Sequence, residues 1–146
     1  MLTYPEATLD AFKKAIEAHD SDAAIALLAD DVVFRSPAVH TPYRGKVPTS
    51  VILTAVNQVF ENFRYTSVVE TGNDSVLVFE ATVGDRQLEG ADFIHVNDDG
   101  LIDDFRVMIR PLKGLQAVVE GMASAIPPAM QKLGVTPEQM KPSVQS

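Results

Sequence analysis

One acidic residue stands among apolar neighbours in the second half of the chain. The run from Arg86 to Val96 has the alternation of a β-strand, in which residues two apart share a face. Asp92 then shares its face with Leu88, Gly90 and Ile94. Loss of hydration there would favour the protonated carboxyl, which could act as a general acid or a hydrogen-bond donor. The alternative is a structural aspartate satisfied by an arginine or a backbone amide, because ion-pair networks also perturb acids.

Two further residues that could exchange protons or hydrogen bonds lie in the proline-rich stretch 36–43. His40 is of a type that titrates near neutral pH, and Tyr43 could donate a hydrogen bond to a ligand oxygen. We expect one of them to assist Asp92. The alternatives are a solvated loop histidine and a half-buried tyrosine that only packs.

Nothing in the sequence predicts a metal ion or another cofactor. The three histidines, at positions 19, 40 and 95, do not have the spacing of a zinc site. The aspartates at 98, 99, 103 and 104 lack the calcium-loop pattern and are typical of a solvated turn. With no cysteine in the chain, thiolate catalysis and cysteine-ligated metal sites are excluded.

Length and composition indicate one globular domain. The chain has 146 residues, a formal net charge of −8 and 46% hydrophobic residues. Its acidity argues against nucleic acid as a partner, and no apolar run approaches the roughly 18 residues that span a bilayer. The absence of cysteine fits a cytoplasmic location.

The order of helical and strand-like patterns favours an α+β fold. Helical patterns cover 5–18, a second segment from Asp20 to about Asp31, and 47–60; a short strand pattern covers 32–36. Four strand patterns follow at 64–70, 75–83, 86–96 and 101–109, which predict an antiparallel meander, and a last helix at 112–126 should stop at Pro127 and Pro128. We expect a domain over 1–133 and a loosely held tail over 134–146. Helices on one face of a curved sheet would enclose a cone whose mouth could admit a ligand.

Several motifs resemble those of the nuclear transport factor two-like superfamily, closest to SnoaL-like polyketide cyclases and ketosteroid isomerases. The resemblance covers roughly residues 5 to 125 and rests on five runs: 18–24 (AHDSDAA), 28–34 (LADDVVF), 43–46 (YRGK), 90–96 (GADFIHV) and 99–102 (DGLI). It implies a cystatin-like, cone-shaped sheet covered by N-terminal helices. It also implies that the loop bearing His40 lies near the cavity. Because this fold hosts several reactions and also proteins with none, the resemblance does not specify the chemistry.

Functional positions of the ketosteroid isomerases are only partly present. The position of their proton-shuttling aspartate is Ser36, whose hydroxyl is a poor base, and that of their oxyanion-binding tyrosine is Phe12. Only the oxyanion-side aspartate has a counterpart, Asp92. The resemblance therefore argues against steroid isomerisation by that mechanism.

The same resemblance suggests which apolar residues could line the cavity, although the sequence cannot separate its wall from the core. The candidates are Phe12, Phe34, Phe60, Phe63, Phe79, Ile94, Phe105, Val107 and Ile109. SnoaL-like proteins are commonly dimers through the outer sheet face, so the resemblance implies a homodimer to which Phe93, Val96 and Met108 could contribute.

Three functional hypotheses follow. The first is a SnoaL-like enzyme that uses acid-base chemistry, of isomerase, cyclase, dehydratase or hydrolase type, on a small hydrophobic carbonyl or cyclic compound. The second is a non-catalytic protein that binds a hydrophobic metabolite in the same cavity. The third is a structural dimer whose cavity is filled by its own side chains.

Overall fold

The computed structural model describes residues 4–142 and shows four α-helices, six strands and a short 3-10 helix in these residues. The helices are α1 (Tyr4–Glu17), α2 (Ser21–Ile25), α3 (Lys46–Val59) and α4 (Leu112–Leu133), with the 3-10 helix at Pro137–Met140. The strands are β1 (Leu28–Arg35), β2 (Tyr43–Arg44), β3 (Glu61–Thr71), β4 (Asp74–Val83), β5 (Arg86–Val96) and β6 (Ile102–Arg110).

The strands form one curved, unclosed sheet in the order β2-β1-β6-β5-β4-β3. Strands β3 to β6 are the antiparallel meander that the sequence predicts. One pairing is different, because β1 runs parallel to β6, with Phe34 beside Phe105. The sheet is therefore mixed, and the α+β class with helices covering a curved sheet is confirmed.

The second helix is shorter than its pattern predicted. Asp20 caps it by accepting a hydrogen bond from the backbone N–H of Ala23 at 3.1 Å, and the helix ends at Ile25 instead of near Asp31. The chain enters the sheet at once, because the carbonyl of Leu27 accepts the N–H of Ile102 at 2.8 Å and Leu28 is buried. Tertiary pairing with β6 thus overrides the local helical preference.

Residues of the concave sheet face alternate with residues of the outer face along β4 and β5, and the concave face is covered by helices. Next to α1, Phe105 packs edge to face against Phe12 and against Phe34, with ring centroids 5.4 Å apart in both pairs. Val96 also belongs to this core, with 1% of its surface exposed, so it cannot contribute to the outer face as expected. Met108, in contrast, is 51% exposed on that face.

Helix α4 continues through Pro127 and Pro128, so the predicted stop at these residues is wrong. Both prolines are exposed, but the next residue, Ala129, is buried against Val51 and Ala55 of α3. This packing outweighs the unfavourable effect of proline inside a helix. The helix ends at Leu133, followed by Gly134 in the left-handed conformation at φ +68°, as in many helix C-termini.

The segment after α4 differs from the loosely held tail that we expected over 134–146. Thr136 and Gln139 form a capping box for the 3-10 helix, and Met140 packs against the core beside α3. Residues 143–146 lie outside the described residues. Among the residues described, no helix is long and apolar enough to cross a membrane.

Candidate active site

A cavity of about 280 Å³ lies between the concave face of the sheet and helices α1, α3 and α4. Its lining is mostly apolar and includes Phe60, just after α3, together with Phe63 of β3 and Phe79 of β4. Exposed lining residues, His19, Val39 and Val119 among them, mark the mouth. The protein's own side chains do not fill this volume, whereas the third hypothesis expects a closed interior.

Asp92 lies on the cavity side of β5, as the alternation predicted, and it is the one charged residue in the buried class within residues 5–142. Only 6% of its surface is exposed. Its neighbours across the ladder are Leu77 on β4 and Val107 on β6, which offer no charge to balance a carboxylate. The expected alternative partners, an arginine or a backbone amide, are not among its hydrogen-bond partners in the described part of the chain.

The hydrogen-bond partner of Asp92 is Tyr65 of β3, whose hydroxyl donates to Oδ2 at 3.0 Å. Tyr65 pairs with Phe79, and Phe79 pairs with Gly90, so the tyrosine lies two strands away from β5. Gly90 leaves room for the Phe79 ring, since a Cβ atom there would lie 2.8 Å from Cε2 of Phe79. The tyrosine is also enclosed by rings, with Phe63 at a centroid distance of 4.9 Å.

Burial determines the protonation of this pair. Desolvation raises the pKa of Asp92 from its ordinary value of 3.8 to about 7, and the hydrogen bond from Tyr65 opposes that rise because it stabilises the carboxylate. The pKa of Tyr65 is raised well above 10, first by burial and then by the charge of Asp92. Below neutral pH the pair therefore holds a largely neutral carboxyl beside a neutral phenol, and near pH 7 about half of the carboxyl is protonated.

The second carboxyl oxygen of Asp92 is available to a ligand. Tyr65 donates to Oδ2, and Oδ1 has no hydrogen-bond partner in the part of the chain that the structure describes. Since a hydroxyl already donates to Oδ2, the acidic proton is best placed on Oδ1. The arrangement presents one hydrogen-bond donor to an apolar cavity.

The two residues expected to assist Asp92 have different positions. Tyr43 of β2 lines the cavity, and burial raises the pKa of its hydroxyl. His40 is exposed and does not line the cavity, because only residues 36–39 of its loop reach the lining. The structure thus brings Tyr43, but not His40, to the site of Asp92.

The two positions that depart from the isomerase pattern do not supply the missing groups. Ser36 lines the cavity, but its Oγ accepts hydrogen bonds from the backbone N–H groups of Ala38 and Val39, at 3.0 and 3.3 Å. Phe12 is fully buried in the core and does not line the cavity.

Six of the nine apolar residues expected at the cavity line it, namely Phe34, Phe60, Phe63, Phe79, Val107 and Ile109. The other three, Phe12, Ile94 and Phe105, pack in the core instead, where Phe12 of α1 contacts Phe105. The division follows position along the sheet, since Ile94 and Phe105 pair with each other at the α1 end, beyond Asp92.

Sequence reasoning missed three polar residues of the cavity: Tyr65, Asn57 and His19. A signal for Tyr65 was present, because it lies two residues from Phe63 on the same strand face. Asn57 and His19 gave no such signal. Asn57 lies in α3 directly after Val56, a residue of the apolar face of that helix. His19 lies just after the end of α1, where its backbone has a positive φ of 56°.

Comparison with known proteins identifies the fold and the family. The model of the SnoaL-like domain matches residues 9–105. The crystal structure of a steroid delta-isomerase from Pseudomonas aeruginosa is similar, with 41% identity, a TM-score of 0.84 and coverage of 90% of this chain and 97% of that chain. No curated protein matches the chain.

Two further crystal structures have a similar fold. An uncharacterized protein with a cystatin-like fold from Silicibacter pomeroyi is 32% identical, with a TM-score of 0.80 and coverage of 87% of this chain and 92% of that chain. An NTF2-like protein of unknown function from Mesorhizobium loti has the same fold at 15% identity, with a TM-score of 0.66 and coverage of 74% and 92%. The chain belongs to the SnoaL-like domain family, within the nuclear transport factor two-like superfamily.

Proposed function

We propose that the protein is an enzyme that binds a small, largely apolar carbonyl compound in this cavity and acts on it by acid-base chemistry of isomerase type. The observation that carries the proposal is the buried Asp92, which hydrogen-bonds to Tyr65 through Oδ2 and leaves Oδ1 facing an apolar cavity. The similarity to a steroid delta-isomerase supports the reaction type.

A neutral carboxyl in such surroundings suits a carbonyl substrate. When a proton leaves the carbon next to a carbonyl, negative charge develops on the oxygen, and a donor already oriented in a dry site stabilises that charge. A carboxylic acid that stays protonated near neutral pH can donate that hydrogen bond or the proton itself. Asp92 has the required burial, and Tyr65 fixes its orientation.

The size and walls of the cavity limit the substrate. A closed apolar cavity of ~150 Å³ holds one benzene ring. At about 280 Å³, this cavity has room for roughly two fused rings, and its open mouth would let a longer molecule protrude. Phe63 and Phe79, stacked at 4.9 Å between centroids, form one wall beside Tyr65 and favour a flat ring system.

A simple ketone tests the binding step. α-Tetralone has two fused rings and a carbonyl that can only accept a hydrogen bond, so it should bind while Asp92 is protonated. We expect its affinity, measured by calorimetry, to be constant below about pH 6 and to fall by up to about tenfold per pH unit above 7. Asp92→Asn keeps a donor and does not titrate, and it should give a flat profile. The same decline in Asp92→Asn would contradict the proposal.

Tyr65→Phe tests whether the hydrogen bond from Tyr65 lowers the pKa of Asp92. The hydroxyl of Tyr65 stabilises the carboxylate, so its removal should raise the pKa of Asp92 and move the decline in ketone affinity to higher pH. The lost hydrogen bond should also reduce the free energy of unfolding by about 1 kcal/mol. Tyr43→Phe is the matched control, because Tyr43 lines the cavity without being a hydrogen-bond partner of Asp92. A decline at the same pH in Tyr65→Phe and wild type would exclude this role of Tyr65.

The engaged hydroxyl of Ser36 favours a second candidate function, a non-catalytic binding protein. Ser36 occupies the position of a proton-shuttling aspartate in the resembling isomerases, but its Oγ accepts two backbone hydrogen bonds. Exchange of the α-hydrogens of α-tetralone in deuterium oxide, followed by NMR, distinguishes the two functions. Exchange above the buffer rate that is abolished in Asp92→Leu, which leaves neither an acid nor a donor, supports the enzyme. Binding without added exchange supports the binding protein.

A further inference from the structure

The mouth of the cavity combines exposed apolar residues with polar lining residues. Its exposed apolar residues are Ala38 and Val39 from the loop after β1, together with Val119 and Ala123 of α4. The polar lining residues His19 and Asn57 lie on the side formed by the end of α1 and by α3.

Asn57 is held in place by a residue outside the cavity lining. Its Nδ2 donates to Oγ of Ser21 at 2.6 Å, which links α3 to the first residue of α2. The carbonyl oxygen Oδ1 of Asn57 has no hydrogen-bond partner in residues 4–142. The amide is therefore oriented and still has capacity for one more hydrogen bond at a half-buried position in the lining.

His19 also lines the cavity, two residues before the Ser21 that bonds to Asn57. It has a positive φ of 56°, a conformation that non-glycine residues rarely adopt. Its N–H bonds to the carbonyl of Ile16 at 3.1 Å, which ends α1 two residues before Ser21. The positive φ belongs to the C-terminal cap of α1, in which the N–H of Asp20 also bonds to the carbonyl of Ala15 at 2.8 Å, and this cap fixes the backbone of His19.

We propose that Asn57 and His19 form a second polar subsite, and that the natural ligand is a hydroxylated ketone with its two polar groups at opposite ends of an apolar ring system. The inference rests on the proposed function, which places the carbonyl at Asp92. A ligand hydroxyl suits the mouth because it can both donate and accept, as an amide and an imidazole require. Between the two ends most of the lining is apolar, as at Val107 and Met122.

The test compares α-tetralone with a hydroxylated α-tetralone whose hydroxyl is on the aromatic ring, at the far end from the ketone. Wild type should bind the hydroxylated ketone about three- to tenfold more tightly, which corresponds to one net hydrogen bond. Asn57→Leu should lose this difference and keep its affinity for α-tetralone itself. Ser21→Ala, which removes the partner that orients Asn57, should reduce the difference, whereas Gln58→Leu, exposed on α3 outside the cavity lining, should retain it.

His19→Asn provides a second variant, because asparagine tolerates a positive φ. It removes the imidazole without straining the backbone, and we expect it to reduce the difference between the two ketones.

Each outcome has a distinct meaning. No preference for the hydroxylated ketone in wild type, or a preference that remains in Asn57→Leu, overturns the subsite. Loss of the preference in Gln58→Leu as well as in Asn57→Leu also overturns it, since the effect would then come from α3 in general and not from the amide of Asn57. If α-tetralone binds with no dependence on pH or on Asp92, the proposed function fails instead, and this result is seen with the unsubstituted ketone alone.

Discussion

Replacing Asp92 with asparagine is expected to remove a large loss of stability that the wild-type protein undergoes as the pH rises from about 4 to about 7. The pKa of Asp92 is raised from 3.8 in the unfolded chain to about 7 in the folded protein. Between these values the folded state binds more protons than the unfolded state, so stability decreases as pH increases. A rise of about three pKa units corresponds to ~4 kcal/mol at full effect.

Urea unfolding of wild type and Asp92→Asn at several pH values checks this expectation. His95 contributes a change of the same sign, because its hydrogen bond to Asp103 raises its pKa, and the stabilisation is lost as pH rises through the raised value. Both proteins contain His95, so its effect cancels in the difference between them. The free energy of unfolding of Asp92→Asn should therefore exceed that of wild type by an amount that grows up to about pH 8. Parallel curves for the two proteins would show that Asp92 is an ordinary, ionised carboxylate.

Gly90→Ala is expected to destabilise the protein and to reduce ligand affinity together. An added Cβ atom would lie 2.7 Å from the backbone oxygen of Met108 and 2.8 Å from Cε2 of Phe79. The backbone cannot move easily within a paired strand, so the Phe79 ring must shift into the space beside Tyr65 and Asp92. Overpacking of this kind costs about 1–3 kcal/mol.

Denaturant unfolding and α-tetralone calorimetry measure the two effects of Gly90→Ala. The matched control is Ala91→Ser, whose side chain points to the opposite face of the same strand and should change stability by only about 0.5 kcal/mol or less. If Gly90→Ala were as stable as wild type and bound the ketone equally well, the close packing of Phe79 over Gly90 would not be what shapes the cavity.

Much of the fold could be predicted from the sequence, because the hydrophobic periods of its segments agree with the structure. The alternation over β4 and β5 and the turns between them gave the meander directly. The errors occur where distant packing outweighs local preference. Leu28 joins β6 although it follows a helical pattern, and α4 passes Pro127 because Ala129 packs on α3.

For the candidate site, the sequence could predict only which residues of a strand share a face. Parity placed Asp92, Val107 and Ile109 on the cavity face, but it could not show that Ile94 and Phe105 pair farther along the sheet, under α1. The contact between Tyr65 and Asp92 joins strands that are not adjacent, and it depends on the curvature of the sheet and on Gly90. No local pattern records such a contact. The position of His40 depends on the path of a loop, which composition does not fix.

The central claim is that the cavity presents a carboxyl group that is protonated near neutral pH. Carbon NMR of the side-chain carboxyl groups, with the Asp92 signal assigned from its absence in Asp92→Asn, measures this directly. We predict that Asp92 titrates near pH 7, and that saturating α-tetralone moves the titration to higher pH because the ketone binds the protonated form. An Asp92 signal that titrates near pH 4 and does not respond to the ketone would contradict the account.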